Sequence, residues 1–196
     1  WLKCHHPAAF AAALLDSQPM GFYAPAQIVR DAREHGVIVR PPDVNASTWN
    51  STLEPCAESV GGVALRLGLR EGKGLKEDDA AALVAARVSG NARPFESIEE
   101  LARRARLGRA PLERLAEADA FASLGLTRRA ALWQARAIEE PAPLLAAAEA
   151  DLFAEPAPAL PAMTLGEQVV ADYAALALSL KAHPMALPRR DVAALG

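Results

Sequence analysis

The sequence predicts a mainly α-helical protein with a small β-sheet. Three observations lead there. Hydrophobic residues make up 52% of the 196 residues but aromatics only 5%, so Ala and Leu, both strong helix formers, carry the apolar content. Helix-start signals recur: Pro25, Pro111 and two capping boxes, Ser97-Ile98-Glu99-Glu100 and Thr164-Leu165-Gly166-Glu167. Strand-like apolar stretches are confined to positions 37–69. The core should be thin and built of small residues.

Each element has a local reason. Residues 1–15 read as the end of a helix with Pro7 in its first turns, broken by Gln18-Pro19-Met20-Gly21. Pro25 opens a second helix through Glu34, with Ile28 and Val29 inward and Gly36 just past its end. Val37-Ile38-Val39 is a short strand stopped by Pro41-Pro42, and Trp49 to Leu53 is a second strand candidate. Val63 to Leu69 alternates well enough to pair with one of these. A helix over 77–87 starts with Glu77, Asp78 and Asp79, which suit the positive end of its dipole. Ser97 caps a helix through Arg106, Pro111 starts one to about Asp119, and Thr127 caps one over 128–138. Pro141 to Pro161, rich in Pro and Ala, reads as an exposed linker. Thr164 starts a last helix through about Leu180, and Pro184 and Pro188 end regular structure.

Net charge is −3, but charge is unevenly spread. Trp1 to Arg136 carries 18 basic and 16 acidic residues, whereas Ala137 to Leu180 carries none and 7. A neutral-to-basic body followed by an acidic segment suits one part facing nucleic acid and another facing something else. Two cysteines, Cys4 and Cys56, are too few for a disulfide framework and fit a reducing cytoplasm. No apolar run reaches membrane-spanning length, so no membrane partner is expected. The chain starts at Trp1 inside what reads as a helix, as expected of a fragment of something longer.

The best candidate site is the stretch Arg70, Gly72, Lys73, Gly74, Leu75 and Lys76, running into helix 77–87. A Gly- and Lys-rich turn before a helix presents backbone N–H groups and positive charge, which suits a phosphate. It has the outline of a helix-hairpin-helix, a motif that holds nucleic-acid backbones without reading bases. An ordinary capped helix start is the bland alternative. Thr127, Arg128 and Arg129 open a second, weakly similar half-repeat; there the alternative is a surface helix start with solvated arginines. Cys4, His5 and His6 are adjacent and point in different directions, so no metal site is expected. Asp43-Val44-Asn45 reads as an Asx-type turn. No residue set argues for catalysis.

Taken in order, six segments resemble bacterial C-family DNA polymerases, the family of the replicative polymerase III alpha subunit. They are Trp1-Leu2-Lys3-Cys4-His5-His6-Pro7-Ala8-Ala9-Phe10, Arg40-Pro41-Pro42-Asp43-Val44-Asn45, Lys73-Gly74-Leu75, Ala120-Phe121-Ala122-Ser123-Leu124-Gly125 and Leu178-Ser179-Leu180-Lys181-Ala182-His183-Pro184, with Gln18-Pro19-Met20-Gly21-Phe22-Tyr23 leaning toward the error-prone, ImuC-type branch. The resemblance implies the end of a helical fingers domain over 1–58 and a tandem helix-hairpin-helix region over 59–140. A Pro/Ala-rich acidic linker over 141–162 and a helix over 163–196, leading toward an OB domain, follow. It implies duplex DNA as partner, a role in replication, repair and translesion synthesis, and a cytoplasmic, nucleoid-associated setting. The family's palm carboxylates, which use Mg2+, lie upstream, so the chain should be inactive alone as a nucleotidyltransferase, with no cofactor of its own. Glu149, Asp151, Leu152 and Phe153 resemble a sliding-clamp-binding peptide. A protein-interaction module docking the clamp or accessory proteins of the mutagenic polymerase is therefore the alternative function.

Overall fold

Proline and glycine set the helix boundaries in the computed structural model, which describes residues 1–89, 93–138 and 160–187. The expected first helix is two. α1 (Leu2–His5) stops at His6, and Pro7 starts α2 (Pro7–Asp16) at its first position. A residue before proline is pushed out of helical geometry, so the chain breaks there. α3 (Pro25–Glu34) has its expected limits because both ends are coded locally. At its C-terminus Gly36 has φ +80°. Gly36 N–H donates to Arg33 O and Val37 N–H to Ala32 O, both at 3.0 Å. That is the paired closure of a left-handed glycine cap.

This closure also shifts the first strand. Val37 ends the helix, so β1 begins two residues late, at Val39–Arg40. β2 (Thr52–Pro55) likewise starts three residues after Trp49. The carbonyls of Thr48 and Trp49 instead accept from Leu69 and Arg70 N–H, at 2.8 and 3.1 Å. A Cβ at Gly68 would lie 2.4 Å from Trp49 O, so only glycine permits that approach. β3 (Val63–Arg66) is the central strand, parallel to β1 and antiparallel to β2. Leu65 faces Val39 on one side and Leu53 on the other.

Helices supply the rest: α4 (Glu77–Val88), α5 (Ile98–Ala105), α6 (Arg109–Glu117), α7 (Arg128–Ala137) and α8 (Leu165–Leu176). The fold is mainly α with a three-stranded sheet. The capping box at Thr164 is complete, whereas the one at Ser97 is half formed. There Ser97 Oγ accepts from Glu100 N–H, but the Glu100 carboxylate takes Glu96 N–H, Arg93 and Arg104 instead. α8 ends four residues before Leu180 because Ala177 adopts φ +60° and turns Leu178 inward.

Two apolar clusters follow from this order. Leu83, Ile98, Leu101, Leu112, Leu115 and Phe121 fill the first, between α4, α5, α6 and α7. Leu15, Ile28, Val29, Leu65, Leu67, Leu176 and Leu178 fill the second, where α8 closes over α2, α3 and the sheet. Alanines line both, as the composition implies. The sheet joins residues on both sides of position 58.

Candidate nucleic-acid interface

The first hairpin grows from a short 3-10 turn over Leu69–Glu71, anchored by buried Leu69. Gly72 N–H donates to Leu69 O at 3.0 Å and Leu75 N–H to Gly72 O at 3.2 Å. Gly74 between them has φ +78°, a conformation that L side chains adopt only with strain. Lys76 is the extended N-cap residue of α4, with no side-chain cap. Among the described residues, the N–H groups of Gly74, Lys76, Glu77, Asp78 and Asp79 have no hydrogen-bond partner. They form an open donor set at the positive end of a helix. Lys73, Gly74 and Lys76 are exposed. Exposed Glu77 and Asp78 oppose an anion at the same end.

The other members of the sequence-derived set take different places. Arg70 turns inward and ties down the end of α2. It donates to Asp16 O at 2.6 Å, Gln18 O at 3.1 Å and Asn50 Oδ1 at 3.1 Å. Leu75 is half-buried against the first cluster. Gly72 is buried, and a Cβ there would meet Leu69 O at 3.2 Å.

The second hairpin repeats the first in a definite register. Gly125, Leu126 and Thr127 match Gly74, Leu75 and Lys76: a glycine with φ +71°, a half-buried leucine, then an extended N-cap residue. A 3-10 turn precedes each. The ends differ in chemistry. Thr127 Oγ1 accepts from Ala130 N–H, so α7 is capped where α4 is open. Arg128, a DNA-contact candidate in the sequence, is only 5% exposed and pairs with the Asp172 carboxylate of α8. Arg129 donates to Pro161 O at 2.7 Å and Glu167 Oε1 at 3.0 Å. Only the fold could reveal this, since Arg128 and Asp172 are far apart in sequence.

Sequence reasoning missed Arg114. A Cβ on Gly74 would lie 3.2 Å from Arg114 Nε, so the α6 guanidinium lies against the hairpin backbone. It also holds Glu117 at 2.8 Å. No local signal links it to a turn 40 residues earlier. Asp43-Val44-Asn45 is an Asx-type turn, as expected, and the fold also makes it a brace. Asn45 N–H donates to Asp43 Oδ1 at 2.8 Å, Ser123 N–H to Asp43 Oδ2 at 3.0 Å, and Val44 N–H to Ala120 O at 2.9 Å.

A family model described as helix-hairpin-helix motif matches residues 36–131, spanning both hairpins. The chain is 56% identical over 198 residues to the error-prone DNA polymerase of Ruegeria pomeroyi, an alignment covering all of this chain and 17% of that protein. It is 52% identical over 199 residues to that of Brucella abortus, covering 100% and 18%. With that of Methylococcus capsulatus it shares 50% over 205 residues, covering 96% and 19%. This chain is similar, end to end, to a segment of error-prone DNA polymerases. It spans less than a fifth of the length of these curated relatives.

In this helix-hairpin-helix frame, Lys73, Gly74, Lys76 and Arg114 belong to one exposed edge, where Lys73 also donates from N–H and Nζ to α8 carbonyls, while the guanidinium groups of Arg128 and Arg129 pair with carboxylates of α8. Glu149, Asp151, Leu152 and Phe153 lie outside the described residues. Among the described residues no group of three or more His, Cys, Asp or Glu is placed to hold a metal ion. No described helix is long and apolar enough to cross a membrane.

Proposed function

We propose that this chain is the DNA-holding, non-catalytic part of an error-prone C-family DNA polymerase and grips duplex DNA by its backbone. The open donor set behind Gly74, flanked by Lys73, Lys76 and Arg114, carries this reading. A phosphate oxygen suits backbone N–H groups at a helix start, and the lysines add counterion release on binding. Contacts of this kind position a duplex and carry no sequence information. The similarity to error-prone polymerases and the helix-hairpin-helix match support it. The division proposed for function is a fingers end over 1–58, paired hairpins over 59–140, a linker over 141–162 and a closing helix over 163–196. Nucleotidyl transfer, with its Mg2+ carboxylates, belongs to other parts of the longer polypeptide, as do its roles in replication and repair and its place at the nucleoid.

Fluorescence anisotropy with a labelled duplex at several salt concentrations tests this. Wild type should bind with a steep inverse dependence on salt, equally for unrelated sequences. Lys73→Glu/Lys76→Glu should lose most of that affinity while keeping its thermal unfolding temperature. Salt-independent binding, or an unaffected double variant, overturns the assignment. The second reading rests on the Glu149, Asp151, Leu152 and Phe153 pattern. Leu152→Ala/Phe153→Ala should abolish binding to a sliding clamp, and unchanged affinity removes that reading.

A further inference from the structure

α8 touches both hairpins. Ala175 O accepts from Lys73 N–H at 2.9 Å, and Tyr173 O from Lys73 Nζ at 3.2 Å. The preceding residue, Asp172, pairs with Arg128, and Glu167 pairs with Arg129. These last two pairs differ in kind. Arg128–Asp172 is buried, and Asp172 also accepts from Ser179 Oγ at 2.7 Å and Lys181 Nζ at 3.3 Å. That pair cannot change partners without opening the fold. Arg129 and Glu167 have side chains 33% and 48% exposed. Surface pairs of this sort contribute little to stability and exchange with other anions.

The Glu167 carboxylate is nevertheless held in place. Its Oε2 accepts from Thr164 N–H at 2.7 Å and Thr164 Oγ1 at 3.1 Å, leaving Oε1 for Arg129. A phosphate oxygen can accept from arginine in the same place as Oε1 does here. Arg129 is at the second position of α7, where the helix dipole also favours an anion. The acidic character of residues 137–180 thus has a structural use, since two of its carboxylates sit on the second hairpin.

We infer that Glu167 occupies, in the free protein, the position that a DNA backbone phosphate takes in the complex. α8 is a strap across the two hairpins, fixed at Asp172 and exchangeable at Glu167. This rests on the duplex-binding function proposed above. Lys73 and Lys76 supply the first contact, and displacement of Glu167 frees Nη2 of Arg129 for the second while its Nη1 keeps Pro161 O.

The test is duplex anisotropy across a salt series with the full chain and four variants. Glu167→Gln keeps the Thr164 cap, because glutamine serves at that position, and removes the charge. It should bind several-fold tighter than wild type at low salt, with a log–log salt slope steeper by about 0.9, one extra phosphate contact. Glu167→Gln/Arg129→Ala should lose both gains. Glu99→Gln, an exposed acid on α5, should change neither. Equal gains for Glu99→Gln and Glu167→Gln would reduce the effect to overall charge and overturn the inference. So would an unchanged Glu167→Gln beside a weakened Lys73→Glu/Lys76→Glu, which leaves the DNA-binding function standing. Absence of binding by wild type and Glu167→Gln alike, even at the lowest salt, removes both.

Discussion

Glu71 closes the 3-10 turn at the foot of the first hairpin, and replacing it with glutamine isolates one titration. Burial is the main influence on its carboxyl; the Arg70 guanidinium opposes it and the Asp16 carboxylate reinforces it. The result pushes the group from 4.5 up to about 7. The unfolded chain releases this proton near the ordinary glutamate value, and the folded chain holds it to the higher one. Between the two, the native state binds more protons, so stability falls as pH rises and levels off above the folded value. At roughly 1.4 kcal/mol per pH unit, the loss amounts to about 3 kcal/mol. Other carboxyls run the opposite way: Glu54 and Glu113 are held low, chiefly by Arg66 and Arg109. The wild-type curve alone therefore mixes contributions, and the difference between wild type and Glu71→Gln separates them. Urea unfolding at pH 4.5, 6, 7 and 8 should show that difference moving by about 3 kcal/mol in favour of glutamine across the range. A difference that stays constant with pH would refute the idea that burial governs this carboxyl.

Three further outcomes follow from the same geometry. Asp172→Ala strands the buried Arg128 charge and should cost about 3–5 kcal/mol in urea unfolding, most of it recovered in Arg128→Met/Asp172→Leu; a cost near zero contradicts the buried pair. Gly74→Ala forces an L residue to φ +78° beside Arg114 and should cost about 1–2 kcal/mol, with Gly125→Ala, where no neighbour approaches, at the low end; equal stability in thermal melts would place the hairpin backbone elsewhere. Lys76→Thr supplies the cap that α4 lacks, so it should stabilise by about 1 kcal/mol. The same variant should flatten the duplex-binding salt slope by about 0.9; a variant that is more stable and binds with the wild-type slope would remove Lys76 from the interface.

Elements coded by their own ends were legible in the sequence. α3 is read from Pro25 and Gly36, the start of α8 from the Thr164 box, and the first hairpin from its Gly- and Lys-rich turn ahead of a helix. What escaped depends on distant partners. β1 starts late because Val37 bonds back to Ala32, and β2 because Trp49 O is taken by Arg70. Arg70 and Arg128 look alike as exposed cations in the sequence, yet both are spent on internal acceptors. Arg114 reaches the site through the crossing of α6 behind Gly74, which no local pattern encodes. The hairpin's location was therefore visible, while the division of its cations between structure and solvent was not.

The second apolar cluster has a consequence for the order in which the chain is made. Apart from Ala118, its walls come from residues 8 to 67, and its lid, Leu176 and Leu178, from more than a hundred residues later. Until α8 emerges during synthesis, Leu15, Val29, Leu65 and Leu67 lack that cover. That apolar surface therefore stays uncovered while the residues between Leu67 and Leu176 are being made. A chain stopped after α7 should bind hydrophobic dyes and chaperones, whereas α8 supplied as a separate peptide should quiet it. The element that engages the hairpins is thus also the one whose arrival closes the second cluster.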